Sequence, residues 1–563
     1  VLRLAEVGTD QMKFGSERVP LPASQHRPRL HDQNVDTLEY RDCIISGFTS
    51  AYRLLMEHRD ELLEEILPRF VDDEIRCVLR LTQTYNMLLH DSLHPNVLRD
   101  ALDCDRLFDR LWISVEQQPH LARVIAAERA DLWAGDVPVF TTSPGSRDIF
   151  TSNGERIAEF LPTPSLEVVR RRVRNFCEQN MEKQVWIIQG SFSSMETGSD
   201  QTETARQGLQ LHPSQTIVNR DRLIAVARAV GDRLERLAEY YDDKVGWLDV
   251  TLINERGWNL LPTGPDLYGG LSGLTFFLSY LGMLTGEQRY TALARAALNT
   301  TRCQIARRKE HPGLGGIGIF NGVGSFIYLL SHLGTLWNDA TLYREAEELV
   351  QLLPDAIAQD QLFDVIAGAA GCIAALLSLY AVAPSQATLA AAIRCGDHLI
   401  ASAQPQAVGI GWSCEFAPTP LAGFAHGNAG IAFCLLQLFA VSGEERFRQT
   451  ALEAIAYERS LFSPEKQNWP DLRPSPISQT KGDEKAVDNV PSYMVAWCHG
   501  APGIGLARLG SLSVLRDAEV DAEIEAAVRT TLKQGFGSNH SLCHGDMGNL
   551  DILLTATQLL ENP

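Results

Sequence analysis

At 563 residues, 45% hydrophobic and 21% charged, the chain carries apolar material for more than one core and is neither a disordered tail nor a collagen. A net charge of −20 argues against a nucleic acid held on a basic surface. Eleven cysteines, an odd number spread along the chain, do not form a disulfide framework and point to a reducing, cytoplasmic compartment.

The chain opens Val1-Leu2-Arg3, without an initiator Met and without a charged segment leading into an apolar one, so no signal peptide is expected. Up to about residue 190 the pattern is helical and charged, with apolar residues at three- and four-residue steps over Ala51–Leu67 and Asp73–Leu89. Pro, Gly and Ser mark Thr141–Asn153 as a surface loop. The polar run from Gly190 to Thr204 reads as a linker, and a charged helix restarts near Asp221. These features predict a domain over 1–210 and another over 211–563.

The second region holds an internal repeat of a glycine turn feeding an apolar helix. Its copies begin at Tyr268, Phe320, Ile366, Ala425, Cys498 and Cys543, and their second glycines are Gly273, Gly324, Gly371, Gly430, Gly503 and Gly548, at spacings of 45 to 73 residues. Glycine there allows close backbone approach where helices crowd a common axis. Charged helical stretches lie between the copies. Apolar inner and polar outer helices in alternation predict a closed α/α toroid, with an open solenoid as the competitor. Val365–Ile393 lacks Asp, Glu, Lys and Arg, but its Ala- and Gly-rich composition fits buried helices better than a membrane span.

The turns of such a barrel gather at one mouth, where the copies place Asp364, His426, Cys498-His499 and Cys543-His544. Thiolate and imidazole are the ligands that Zn²⁺ prefers, and three protein ligands with an open position describe a catalytic rather than a structural site. Cys303, Cys372, Cys395, Cys414 and Cys434 read as core packing.

With these motifs in view, residues 215–563 resemble the lanthionine cyclase family, zinc α/α toroids that include nisin cyclase. The resemblance rests on Leu267-Tyr-Gly-Gly-Leu-Ser-Gly, Asp364-Val-Ile-Ala-Gly, Ala425-His-Gly, Trp497-Cys-His-Gly-Ala-Pro-Gly-Ile and Leu542-Cys-His-Gly. Residues 1–210 resemble the C-terminal part of the kinase-like dehydratase domain of class II lanthipeptide synthetases, through the stretches beginning at Arg76, His94, Gly135 and Gln184. The resemblance implies an all-α dominant chain, with a mainly helical dehydratase part before a double-layer helical barrel. It implies Cys498, Cys543 and His544 as zinc ligands, with a cysteine thiol of a substrate peptide taking the fourth position. That thiolate would add to a dehydroalanine or dehydrobutyrine to close a thioether ring. His426 is then the candidate acid for the enolate, and Asp364 orients a neighbour or deprotonates the thiol; Asp364 also reads as a plain helix cap. Arg76 and Thr82 match positions used to eliminate phosphate from phosphorylated Ser and Thr, with Arg80 a rival for the phosphate contact.

The implied partner is a ribosomally made precursor peptide with a leader, with no nucleic acid and no transmembrane segment; association with a peptide exporter and a monomeric state are further expectations. Residues 1–210 hold no Gly-rich loop with a strand Lys, no His-Arg-Asp loop and no Asp-Phe-Gly, so ATP and Mg²⁺ are expected only for a part upstream of Val1. Nisin-cyclase-like members carry Arg where this chain has Met494, and some have Tyr at His499. A Pro-rich, charged stretch from Ser463 to Pro491 is expected as an exposed loop at the mouth that contacts substrate. Competing functions are a prenyltransferase-like zinc-thiolate enzyme, a peptide-binding scaffold whose structural zinc takes a fourth ligand from His499 or His426, and a carbohydrate-active toroid, which would need an acidic pair such as Asp364 and Asp546.

Overall fold

The computed structural model describes residues 2–5, 13–16, 28–31, 33–196, 219–253, 257–309, 316–414, 417–473 and 492–560. The chain divides into two compact units, Val1–Phe192 and Ser193–Pro563. The expected boundary near residue 210 lies outside the described residues.

The first unit carries α1 (Arg41–Glu57), β1 (Ile75–Cys77), α2 (Thr82–Ser92), β2 (Phe140–Thr142), β3 (Ile149–Phe150), β4 (Arg156–Ile157) and α3 (Glu178–Glu196). The four strands form one antiparallel sheet in chain order, with Arg76 opposite Thr141. The helix expected from Asp73 is therefore a strand first. Ile75, Arg76 and Cys77 satisfy a two-residue alternation as well as a helical one, and pairing with distant Phe140 decides between them. The expected loop over Thr141–Asn153 contributes strand residues, because Ile149 is fully buried with Leu121, Val124, Phe140 and Phe160. In place of the first part of the expected linker, α3 runs on through Glu196; residues 197–204 lie outside the described residues.

In the second unit α4 (Arg220–Leu237) and a hairpin of β5 (Leu248–Ile253) and β6 (Gly257–Pro262) precede the repeats. Among the described residues, five helical hairpins follow. They are α5 (Leu271–Thr285) with α6 (Gln288–Lys309), α7 (Val323–Trp337) with α8 (Ala340–Val350), α9 (Ala369–Val382) with α10 (Gln386–Ser402), α11 (Asn428–Ser442) with α12 (Glu445–Ser460), and α13 (Ala501–Gly510) with α14 (Ala518–Gln534). A further helix, α15 (Asp546–Leu559), follows them. The odd-numbered helices pack on one another in succession, and each of the first five is backed by its even-numbered partner. The sequence explains which is which. In α9 there is no charged residue, whereas α12 alternates Arg and Glu with buried Phe447, Ala451 and Ile455. The described residues are thus mainly helical, with a double-layer α/α barrel in the second unit. The uncharged run from Val365 is divided between α9 and α10, and no helix among the described residues is long and apolar enough to cross a membrane.

At one mouth of the barrel the six glycine turns are stitched together by backbone hydrogen bonds. Tyr268 N–H donates to Phe320, Phe320 N–H to Ile366, Val365 N–H to Ala425, Ala425 N–H to Cys498, and Cys498 N–H to Cys543, at 3.0 to 3.2 Å. The second glycines make this possible. A Cβ at Gly430 would lie 2.0 Å from the Phe424 carbonyl oxygen of its own turn and 2.6 Å from Val365 of the preceding one. At Gly548 it would lie 1.9 Å from Leu542 O and 2.7 Å from Trp497 Cβ. Buried Arg508 of α13 binds Glu458 at 2.9 Å and Glu523 at 2.7 Å, and Glu458 accepts the Gly423 N–H, anchoring the fourth turn from behind.

Candidate metal centre

Each of the last two turns presents Cys-His-Gly at the start of an inner helix, and the Cys498 N–H to Cys543 carbonyl bond draws the two turns side by side at 3.0 Å. As a result the ligand atoms of Cys498, Cys543 and His544 all lie within 4.8 Å of one another. A tetrahedral ion with Zn–S near 2.3 Å and Zn–N near 2.0 Å sets its donors roughly 3.5–3.8 Å apart, so a small adjustment closes the group around zinc. Burial is graded: Cys498 is buried, Cys543 half-buried and His544 exposed, which leaves one side open.

The two thiols differ in charge preference. A hydrogen bond from Cys498, with others from Tyr268 and His544, brings Cys543 down to about 5 against the burial that opposes it. Cys498 is pushed up, first by that same sulfur pair and then by burial. One thiolate is therefore already favoured before any ion arrives. Tyr268 is half-exposed, and its hydroxyl lowers the Cys543 thiol, which brings the first turn of the series up to the last. The sequence reading did not single Tyr268 out, although it stands five residues before its second glycine, the slot that Cys498 and Cys543 fill in their own copies.

On the adjoining turns, His426 Nδ1 lies 2.6 Å from Asp364 Oδ2. The other Asp364 oxygen accepts the Ala367 and Gly368 N–H groups at 2.8 and 3.1 Å, and Asp364 is 2% exposed. Asp364 thus caps the turn and not the helix, whose N-cap is Gly368, while its second oxygen meets His426. Its oxygens are occupied, so it is badly placed to meet a substrate thiol. His426 remains part-exposed. The three-ligand group includes neither His426 nor His499. His499 is buried, its Nδ1 lies 3.4 Å from the Ala422 carbonyl and its Nε2 has no partner among the described residues. Burial, followed by the charge of Arg473, holds it down at about 4, hence neutral.

In the first unit, Arg76 is exposed on β1 and Thr82 is exposed at the start of α2; among the described residues no hydrogen bond joins them. Arg80 is excluded as a free phosphate ligand. It is buried, gives a fork to Glu128 at 2.6 and 3.2 Å and also binds Ser114. Cys372, Cys395 and Cys434 are buried as expected, whereas Cys303 is exposed on the outer helix α6, where a core role does not hold. Of the stretch from Ser463 to Pro491, residues 474–491 lie outside the described residues; Asn468 and Trp469, by contrast, are buried.

Residues 262–563 match the family described as Lanthionine synthetase C-like protein, and residues 1–143 match a domain of unknown function, DUF4135. The Lacticin 481/lactococcin biosynthesis protein LcnDR2 of Lactococcus lactis subsp. lactis is 23% identical over 575 residues, which cover 98% of this chain and 57% of that protein. The nisin biosynthesis protein NisC of the same organism is 28% identical over 141 residues, 24% of this chain and 33% of NisC. Among solved structures, nisin cyclase is similar at 18% identity with a TM-score of 0.41, over 61% of this chain and 83% of that one. The chain thus spans little more than half the length of LcnDR2 and a third of NisC.

Proposed function

The chain belongs to the lanthionine synthetase C-like family, and on that premise we propose that its second unit is a zinc-dependent cyclase closing thioether rings in a dehydrated precursor peptide. The observation that carries the reading is the convergence of Cys498, Cys543 and His544 beside an oriented Asp364–His426 pair. Zinc held by the three ligands would lower the pKa of a peptide cysteine thiol and so supply a thiolate at neutral pH.

The protein's own groups manage the proton. Asp364 takes the Nδ1–H of His426, which leaves Nε2 to receive the proton released by the thiol. When sulfur bonds to the β-carbon of the dehydro residue, the double-bond pair moves toward the carbonyl. His426 then returns its proton to the α-carbon, so the addition is balanced without an outside acid. The first unit is assigned to the dehydratase that makes the substrate. Arg76 is proposed to bind the leaving phosphate and Thr82 to assist elimination.

The Cys, Cys, His ligand set favours this reading over a prenyltransferase-like one, which would use Asp, Cys and His. The open side and the absence of His499 and His426 from the group favour it over a structural zinc site. Elemental analysis after exhaustive dialysis tests it: about one zinc per chain is expected in the wild type and none in Cys543→Ala, with loss of ring closure. A folded, zinc-free wild type would overturn the reading.

A further inference from the structure

The segment before residue 474 is fastened to the turn that carries Cys498. The Asn468 side chain donates to the Met494 carbonyl at 3.0 Å and accepts the Ala501 N–H at 2.8 Å. Trp469 is fully buried and Asp471 N–H donates to Ser492 at 2.8 Å. Arg473 is thereby mounted against Met494, on the turn that carries Cys498. Its Nε and Nη2 grip Asp471 at 2.7 to 3.2 Å, and Nη2 lies 3.6 Å from Met494 Sδ. Its Nη1 has no hydrogen-bond partner among the described residues. The side chain is 41% exposed, and its charge acts on both Cys498 and Cys543. An Asp–Arg brace needs only the Nε–Nη2 edge; it does not account for a second, unbonded edge on the turn that carries Cys498.

We propose that Arg473 is a catalytic residue of ring closure, its Nη1 edge binding the carbonyl oxygen of the dehydro residue as sulfur adds. The inference rests on the cyclase reading above. As the S–C bond forms, the alkene pair shifts and the negative charge carried by sulfur comes to lie on the carbonyl oxygen; protonation at the α-carbon then restores the carbonyl. A cation held in place by Asp471 before the reaction stabilises that oxygen without reorganising. Met494 is uncharged where nisin-cyclase-like members have Arg, and the Arg473 guanidinium rests on its sulfur, so the charge reaches the same place from a segment 21 residues upstream.

The test uses the full zinc-loaded chain as wild type, Arg473→Met, Arg473→Lys and the double variant Arg473→Met/Met494→Arg. Zinc content is measured, with kcat and KM for ring closure on a dehydrated, Cys-containing peptide. Calorimetry then compares two Cys-free peptides, one with a phosphinate at the reacting carbonyl and one with the ordinary carbonyl. For Arg473→Met we expect unchanged zinc, kcat lower by about 100-fold and KM within about twofold, phosphinate affinity lower by about tenfold or more, and unchanged affinity for the ordinary peptide. Arg473→Lys should retain part of the rate, and Met494→Arg should restore much of it. Equal phosphinate binding and equal kcat in Arg473→Met would overturn the proposal, and so would loss of zinc from that variant, which would make Arg473 a support of the ligands. A wild type that closes no rings defeats the cyclase reading and this inference together; a wild type that closes them beside an indifferent Arg473→Met defeats this inference alone.

Discussion

His426, His499 and His544 occupy the same slot, four residues before the second glycine of their turns, yet each does something different. His544 joins two thiols, His426 pairs with Asp364, and His499 is buried against the Ala422 carbonyl. The slot was legible in the sequence, and the structure brings the expected Cys498, Cys543 and His544 within reach of one another. The distinctions came with the resemblance and not from the slot itself, because each depends on what the neighbouring turn brings: a second thiol, a carboxylate or only a backbone oxygen. Arg473 was less visible still, since it precedes the fifth turn rather than lying in it. These environments predict separable phenotypes. His426→Gln should keep zinc at wild-type content while ring closure slows by about 10²-fold or more, the loss typical of a missing acid–base group; parallel elemental analysis and single-turnover kinetics would check this. Loss of zinc from that variant would make His426 a ligand instead.

The repeated element is a turn whose glycine leaves room for two carbonyl-bearing loops at once. That is why the glycine spacing could be read as a barrel before any coordinates, whereas β1 could not be read as a strand. The turns carry their own geometric requirement locally, but Ile75–Cys77 acquires its conformation from Phe140–Thr142, more than 60 residues away. Two glycine substitutions separate these ideas. Gly430→Ala places a methyl 2.0 Å from a carbonyl oxygen and should destabilise the second unit by about 1–3 kcal/mol or more, through forced backbone shifts. Gly443 caps α11 in the left-handed region, with nothing within 4 Å of the added atom. Its replacement by Ala should cost only the conformational penalty of about 1–2 kcal/mol. Urea unfolding midpoints give both values, and ring closure should suffer more in Gly430→Ala, because its turn carries His426.

At the scale of the whole chain, two compact units mean that a ligand of one need not stabilise the other. Removing zinc with a chelator should lower the unfolding midpoint of residues 193–563 and leave amide exchange within 1–192 unchanged. At a free metal level of 100 times Kd the difference would be about 2.7 kcal/mol. Exchange measured by mass spectrometry resolves the units, and a shift spread over both would contradict independent stabilisation. The order of these units along the chain was readable from the motifs; the start of the expected linker was not, since Gly190–Glu196, poor in helix formers, still completes α3. The circle of turns has one more consequence, for the way the protein comes into being. Its backbone rungs join each turn to the next in order of synthesis, so a nascent chain can add one hairpin at a time to a growing arc. Tyr268 beside Cys543, by contrast, brings the first turn and the last together, and the paired thiols need both of the last two turns. The metal would then be fitted last, pinning the fifth turn to the sixth once the ribosome has delivered both, and a cell short of zinc would accumulate barrels that are built but unfastened.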